Sequence, residues 1–171
     1  MAVVLNRRQV LGGATALAAG GVASPYVARA ASGVIRIGYI DQFTGPRANF
    51  TEASPWVRDQ ALALYKSGIE IGGKTYAVEV LTRDSQSDPN RMGSLGNELV
   101  LRENVDLLLV GDGLAAAAFE ICDQNGTPGV STMVPHEPFY AARGSSPEKG
   151  YPWTFNFFFL ASDVIKNYIG M

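Results

Sequence analysis

Asp106-Leu107-Leu108-Leu109-Val110-Gly111-Asp112-Gly113 is the stretch that decides the fold. An almost unbroken apolar run, with no polar residue on alternate positions, suits a strand covered on both sheet faces, as strands of parallel sheets are. Gly-Asp-Gly ends the run, and the Ala-rich segment behind it, with Phe119, Ile121 and Cys122, predicts a helix. The same alternation holds on either side. Upstream, residues 34–40 (VIRIGYI) are rich in β-branched side chains and run into the loop Asp41-Gln42-Phe43-Thr44-Gly45-Pro46. Ser54-Pro55 reads as the N-cap and first residue of a helix through Val57, Ala61, Leu62, Leu64 and Tyr65, stopping near Gly68. Residues 69–76 read as a hairpin about Gly72-Gly73, its second arm continuing as a strand over 77–82. Asp88-Pro89 is another helix start, and Met92, Leu95, Leu99 and Val100 mark one face of that helix.

Downstream, the turn Asn125-Gly126-Thr127-Pro128 leads to a short strand over 129–132. Residues 135–152, rich in Pro, Gly and Ser, read as loop, and 153–158 as one more strand. Ser162 is placed to cap a last helix with Val164, Ile165, Tyr168 and Ile169 apolar. The sum is an α/β chain, a three-layer, doubly wound and mostly parallel sheet with helices on both faces. The last helix presents an apolar stripe that no following residue covers, which points to a fragment or a truncated product, the alternative being a helix that docks back on the same sheet.

Arg7-Arg8 at the head of an Ala/Gly-rich run closing on Ala28-Arg29-Ala30 predicts an export leader over residues 1–30. RRQVLGG looks like the twin-arginine type, and Gly12, Gly13, Thr15, Gly20 and Gly21 break the run too often for a membrane span. The expected location is therefore the periplasm. The chain has 171 residues, with 14 basic against 16 acidic, and three of the basic ones lie in the leader. An acidic chain without a basic cluster is a poor partner for nucleic acid. Cys122 has no second cysteine to pair with and reads as a small buried hydrophobe. With His136 as the only other soft ligand, neither a metal nor any other cofactor is expected.

In an open parallel sheet the ligand sits at the carboxyl ends of the strands, beside the point where strand order reverses. The loops there carry hydroxyls, amides, helix N-termini and little positive charge, a set suited to holding a small polar solute by hydrogen bonds. No nucleophile with a matched base is visible, and His136 reads as a surface loop residue. Gly111, Gly113 and Ala116 fit G-x-G-x-x-A, but Ser131 and Thr132 stand where a dinucleotide fold wants an acid. A dinucleotide-dependent oxidoreductase exported by the twin-arginine route remains the alternative function.

IRIGYIDQFTGP (residues 35–46) resembles the opening strand and loop of type I periplasmic solute-binding proteins, the branched-chain amino-acid group of ABC transporters. TYAVEVLTRDSQSDPNR (75–91) is similar to that group's second strand, aspartate loop and second helix start, and VDLLLVGDG (105–113) to its third strand and ligand loop. GTPGV (126–130) resembles the fourth strand, and TFNFFFLASD (154–163) the first crossing between lobes. The resemblance implies a non-enzymatic, monomeric receptor with two α/β lobes that close over an amino-acid-like, amide or carboxylate solute and pass it to an ABC permease in the inner membrane. Residues 31–158 would then be most of the first lobe up to the crossing, and 159–171 the start of the second. It places the ligand on Phe43 and Thr44, Asp84, Asp112, Gly113, Leu114 and Ala115, and Ser131 and Thr132. Residues 114–118 lack the hydroxyl that amino-acid binders of the group carry after the third strand, leaving the backbone N–H groups there to meet a carboxylate. Trp56, Phe139, Tyr140 and Trp153 are further candidates for lining an aromatic-tolerant cleft.

Overall fold

The computed structural model describes residues 33–170, so the leader expected over 1–30 lies outside the described residues. The elements follow in the order β1 (Val34–Asp41), α1 (Ser54–Leu64), β2 (Ile69–Ile71), β3 (Lys74–Asp84), α2 (Pro89–Asn97), β4 (Leu107–Val110), α3 (Ala116–Asn125), β5 (Gly129–Ser131), α4 (His136–Ala141), β6 (Thr154–Asn156) and α5 (Ala161–Ile169). The six strands form one sheet in the order β2-β3-β1-β4-β5-β6. Only β2 is antiparallel, as the hairpin arm on β3. The chain steps from β1 to β3 on one side and then crosses to β4 on the other. The reversal therefore falls between β1 and β4, the place where such sheets open a crevice.

The two sheet faces are finished unequally. On one, Ile40, Leu108 and Val110 meet Met92, Leu95, Leu99 and Val100 of α2 and its π-turn extension (Glu98–Arg102), and Phe119 and Cys122 of α3. All are buried, and the helix face read from the sequence is the one that packs. Cys122 is a core residue whose thiol burial pushes up to about 12, so it is not poised to react. The other face, with Ile37, Tyr39, Val78, Val80 and Leu109, lies under α1, which buries none of its own residues. A cavity of about 410 Å³ stands between them, lined by Ala61, Leu62 and those strand side chains.

Several boundaries differ from the sequence reading. Ser54 is already the first residue of α1, and no side chain caps it. Asp88 caps α2 as expected, its carboxylate accepting from the N–H groups of Asn90 and Arg91 at 2.7 and 3.1 Å. The stretch 135–152 is not all loop, because His136–Ala141 folds into α4 with Phe139 buried against Phe119. Arg143 behind it stacks over Tyr151 at 3.7 Å and donates to Thr154 Oγ1 at 2.6 Å, which fixes β6 at the sheet edge. The strand expected over 153–158 is confined to three residues.

Ser162 does not cap the last helix. Glu137, reaching over from α4, accepts from the backbone N–H groups of Ala161 at 2.7 Å and Ser162 at 2.9 Å. These bonds, led by the Ser162 N–H, lower the Glu137 carboxyl from an ordinary 4.5 to about 2. A depressed carboxyl stabilises the fold fully above its unfolded value and loses that contribution as pH falls through the folded one. The Ala161 and Ser162 amide resonances should therefore hold steady down to about pH 4 and move together near pH 2. Glu137→Gln should place them at their acid positions at neutral pH. Resonances that do not respond to the substitution would count against this cap.

Candidate functional site

At the carboxyl ends of the strands, three aspartates end or follow neighbouring strands: Asp84 on β3, Asp41 on β1 and Asp112 just past β4. Their alternation decides where each points. Asp41 continues the Ile37/Tyr39 face, while Asp112 continues the Leu108/Val110 face. All three carboxylates are occupied by internal donors.

Asp112 is fully buried and holds the site together. Its Oδ1 accepts from the Leu114 N–H at 2.9 Å and from Arg47 Nη2 at 3.0 Å, and its Oδ2 accepts from the buried Ser85 hydroxyl. The first bond is local and shapes the turn into α3. The other two join the loops after β1 and β3 to the loop after β4. Asp41, 1% exposed, accepts from the Tyr39 hydroxyl and from the Gln42 N–H. Burial first, and then the Asp41 carboxylate, raises the Tyr39 phenol so that it stays a proton donor. Asp84 accepts from the Thr44 hydroxyl at 2.6 Å, the Thr44 N–H at 3.2 Å and the Gln86 N–H at 2.9 Å. Burial opposes its ionisation, but the Thr44 hydroxyl and the N–H groups of Gln86, Thr44 and Phe43 outweigh it and hold the carboxyl below its usual range. Ser87 ties the first two loops again, accepting from the Arg47 N–H and donating to the Thr44 carbonyl, both at 3.2 Å.

The residues singled out from sequence fall into two groups. Thr44 and Gly113 are exposed, and Phe43, Asp84, Leu114 and Thr132 are half-buried at the loop tips. Phe43 stands edge-on to Tyr39, and Thr132 borders the cavity under α1. Asp112, Ala115 and Ser131 are fully buried, so the first two lie beneath the rim. Ser131 lies level with Val110, and its Oγ is buried without a hydrogen-bond partner among the described residues, as is Gln42 Oε1 at the end of β1. By strand parity both belong to the Asp112 face.

The sequence reading gave these loops little positive charge; Arg47 corrects this, because it lays a guanidinium across them. It follows Gly45-Pro46 on the loop after β1, but its partner is 65 residues away, so no local pattern announces it. The aromatic candidates fare differently. Phe139 is core, Tyr140 stacks on Tyr151, Trp56 stands exposed on α1, and Trp153 lies over Gly126 at the opposite end of the sheet. The glycine spacing at 111–116 has its own explanation. A Cβ on Gly111 would sit 2.6 Å from Asp41 Oδ2, so the close approach that glycine allows is taken by a carboxylate rather than left for a pyrophosphate. Among the described residues no three His, Cys, Asp or Glu side chains converge as metal ligands. The cavity under α1 touches Asp41, Gly111 and Thr132, but its wall is mostly aliphatic and lies beneath the sheet face rather than at the loop tips.

No curated protein matches the sequence. Among solved structures, similar folds include the isoleucine-bound substrate-binding protein of the branched-chain amino acid transporter of Streptococcus pneumoniae (23% identity, TM-score 0.62, covering 80% of this chain and 38% of that one). An ABC transporter substrate-binding protein from Sphaerobacter thermophilus is 26% identical at a TM-score of 0.57, over 80% of this chain and 37% of that one. A solute-binding protein of an ABC transporter from Rhodopseudomonas palustris BisB5, in complex with 3,4-dihydroxybenzoic acid, is 21% identical at a TM-score of 0.56, over 75% and 33%. The chain thus spans about a third of the length of the structures it resembles. The sequence family described as periplasmic binding protein matches residues 34–171, which takes in nearly all the described residues. A mostly parallel sheet with its order reversing beside β1, and a family match along its whole length, agree: the chain belongs to the periplasmic binding protein family, whose structural relatives here are substrate-binding proteins of ABC transporters.

Proposed function

We propose that this chain supplies most of the first lobe of the substrate-binding component of an ABC importer, exported to the periplasm by the twin-arginine route and acting as a monomer. It captures a small polar organic solute, amino-acid-like, amide or carboxylate, by closure of two lobes, and presents it to the permease without chemically altering it. The observation that carries the reading is the joining of the family match over residues 34–171 to a rim of three loops whose side chains are cross-linked at the strand ends. The ligand groups assigned to this half are Phe43, Thr44, Gly113, Leu114 and Thr132 at the surface of the rim, with Asp84, Asp112, Ala115 and Ser131 supporting or completing it.

Capture by such a rim needs differential affinity between open and closed states, because a ligand shifts only an equilibrium whose two states it binds differently. Titration calorimetry on the full-length protein with a panel of amino acids, amides and aromatic acids should give micromolar binding for at least one class. Small-angle scattering with that solute should report compaction. No heat and no compaction across the panel would end the receptor reading.

A further inference from the structure

Resting on the receptor reading above, we propose that Arg47 is the specificity residue of this half of the site and selects ligands that carry a carboxylate. The guanidinium is fixed at one edge. Nη2 donates to the fully buried Asp112 at 3.0 Å, and Nη1 lies 3.3 Å from where a Cβ on Gly113 would be. A Cβ at position 113 would press the cation by a few tenths of an ångström, so glycine leaves it room there. A third of the Arg47 side chain remains exposed, and the other guanidinium N–H groups donate to no acceptor among the described residues. Arginine's planar fork matches a carboxylate through two parallel bonds, which a neutral amide oxygen cannot accept with the same charge-assisted strength.

The hydrogen-bonding groups left open around it, rather than the sum of charges, bear on what binds. Asp41, Asp84 and Asp112 are the acids at these strand ends, and each is satisfied from within: Asp41 by Tyr39 and Gln42, Asp84 by Thr44 and Gln86, Asp112 by Leu114, Ser85 and Arg47. Arg91 is turned to the Asp84 carbonyl at 2.8 Å. The Arg47 guanidinium differs from the exposed Arg91 in being held by a fully buried carboxylate while part of it, with donors to spare, faces outward. α3 starts beside Gly113, and the first N–H groups of a helix have no acceptor within it. The buried Ser131 Oγ on the adjoining strand lacks a partner among the described residues. The spare donors on the exposed edge of Arg47 suit an anionic oxygen pair better than an ammonium or a neutral carbonyl.

The test uses the full-length protein and matched pairs in calorimetry: 3,4-dihydroxybenzoate against its primary amide, and isoleucine, benzoate and glutarate against theirs. At least one acid should bind about 30-fold more tightly than its amide, the ratio expected from losing a charge-assisted pair. Arg47→Lys retains a cation for Asp112 but loses the fork, and should weaken that acid about tenfold. The double variant Arg47→Met with Asp112→Asn leaves no unpaired buried charge, and should bring acid and amide to equal affinity while the unliganded protein still melts cooperatively. Amides binding as well as acids, or either variant keeping the acid's affinity within about twofold, would overturn the role of Arg47 and leave the receptor reading standing. Failure of every acid and amide to bind would remove the receptor reading, and this inference with it.

Discussion

Asp112→Ala should lower the stability of the folded chain by about 3 kcal/mol, with the midpoint of thermal unfolding falling by roughly 10 °C. The size follows from what the carboxylate holds. Its removal leaves the buried Ser85 hydroxyl without its acceptor, frees the Leu114 N–H at the turn into α3, and strands Arg47 without its counter-charge. A neutral buried group losing its only partner costs about 1–3 kcal/mol, and a charged one more, but the exposed part of Arg47 lets water offset some of the loss. Asp112→Asn retains the shape and one acceptor, so it should cost about 1 kcal/mol. The ranking of Ala below Asn, read by urea unfolding, is the signature of a hydrogen-bonded knot. Equal stability for both variants would mean that Asp112 is only filling space.

Gly45→Ala should be nearly as damaging, at about 3 kcal/mol. Gly45 has φ +91°, and a Cβ there would fall against the carbonyl of Gln86, within the loop that Thr44 and Arg47 bind. Backbone strain and collision therefore act together, and relief of either pulls the first two loops apart. Gly72 separates the two effects. It has φ +57° with nothing within 4 Å of a would-be Cβ, so Gly72→Ala meets the strain alone and should cost about 1 kcal/mol. If the two substitutions prove equally costly, the close packing of Gly45 on Gln86 is not what the loop depends on.

The fold was legible where a local pattern answers to a local cause. The apolar run before Gly111 became β4, though only Leu108 and Val110 are fully buried and Leu107 and Leu109 are half-buried, and Asp88-Pro89 became a helix start because cap and fixed φ act within one turn. α4 was missed because Pro135 and Pro138 read as breakers, although proline is tolerated in the first turn of a helix. Its retention owes more to Phe139, which buries itself against Phe119 on a helix distant in sequence. The cap on α5 escaped for a related reason, since Glu137 stands 24 residues before the N–H of Ala161 that it accepts. Among the site residues, the position of the loops followed from topology alone. What could not be read was that Asp112 would be buried and bound on every side, or that Arg47 would cross from the neighbouring loop to meet it. Both depend on pairings between separate strand ends, which no window of sequence contains.

The lacing of the first two loops through Thr44, Asp84, Arg47 and Ser87 bears on the thermodynamics of capture. A recognition surface made of slack segments must surrender their freedom each time a molecule lands, and that entropy is subtracted from the affinity. Here the freedom of those segments is surrendered once, when the sheet assembles. If the chain is the proposed receptor, an arriving solute would meet donors already in register, leaving only the solute itself and any closing motion to be immobilised.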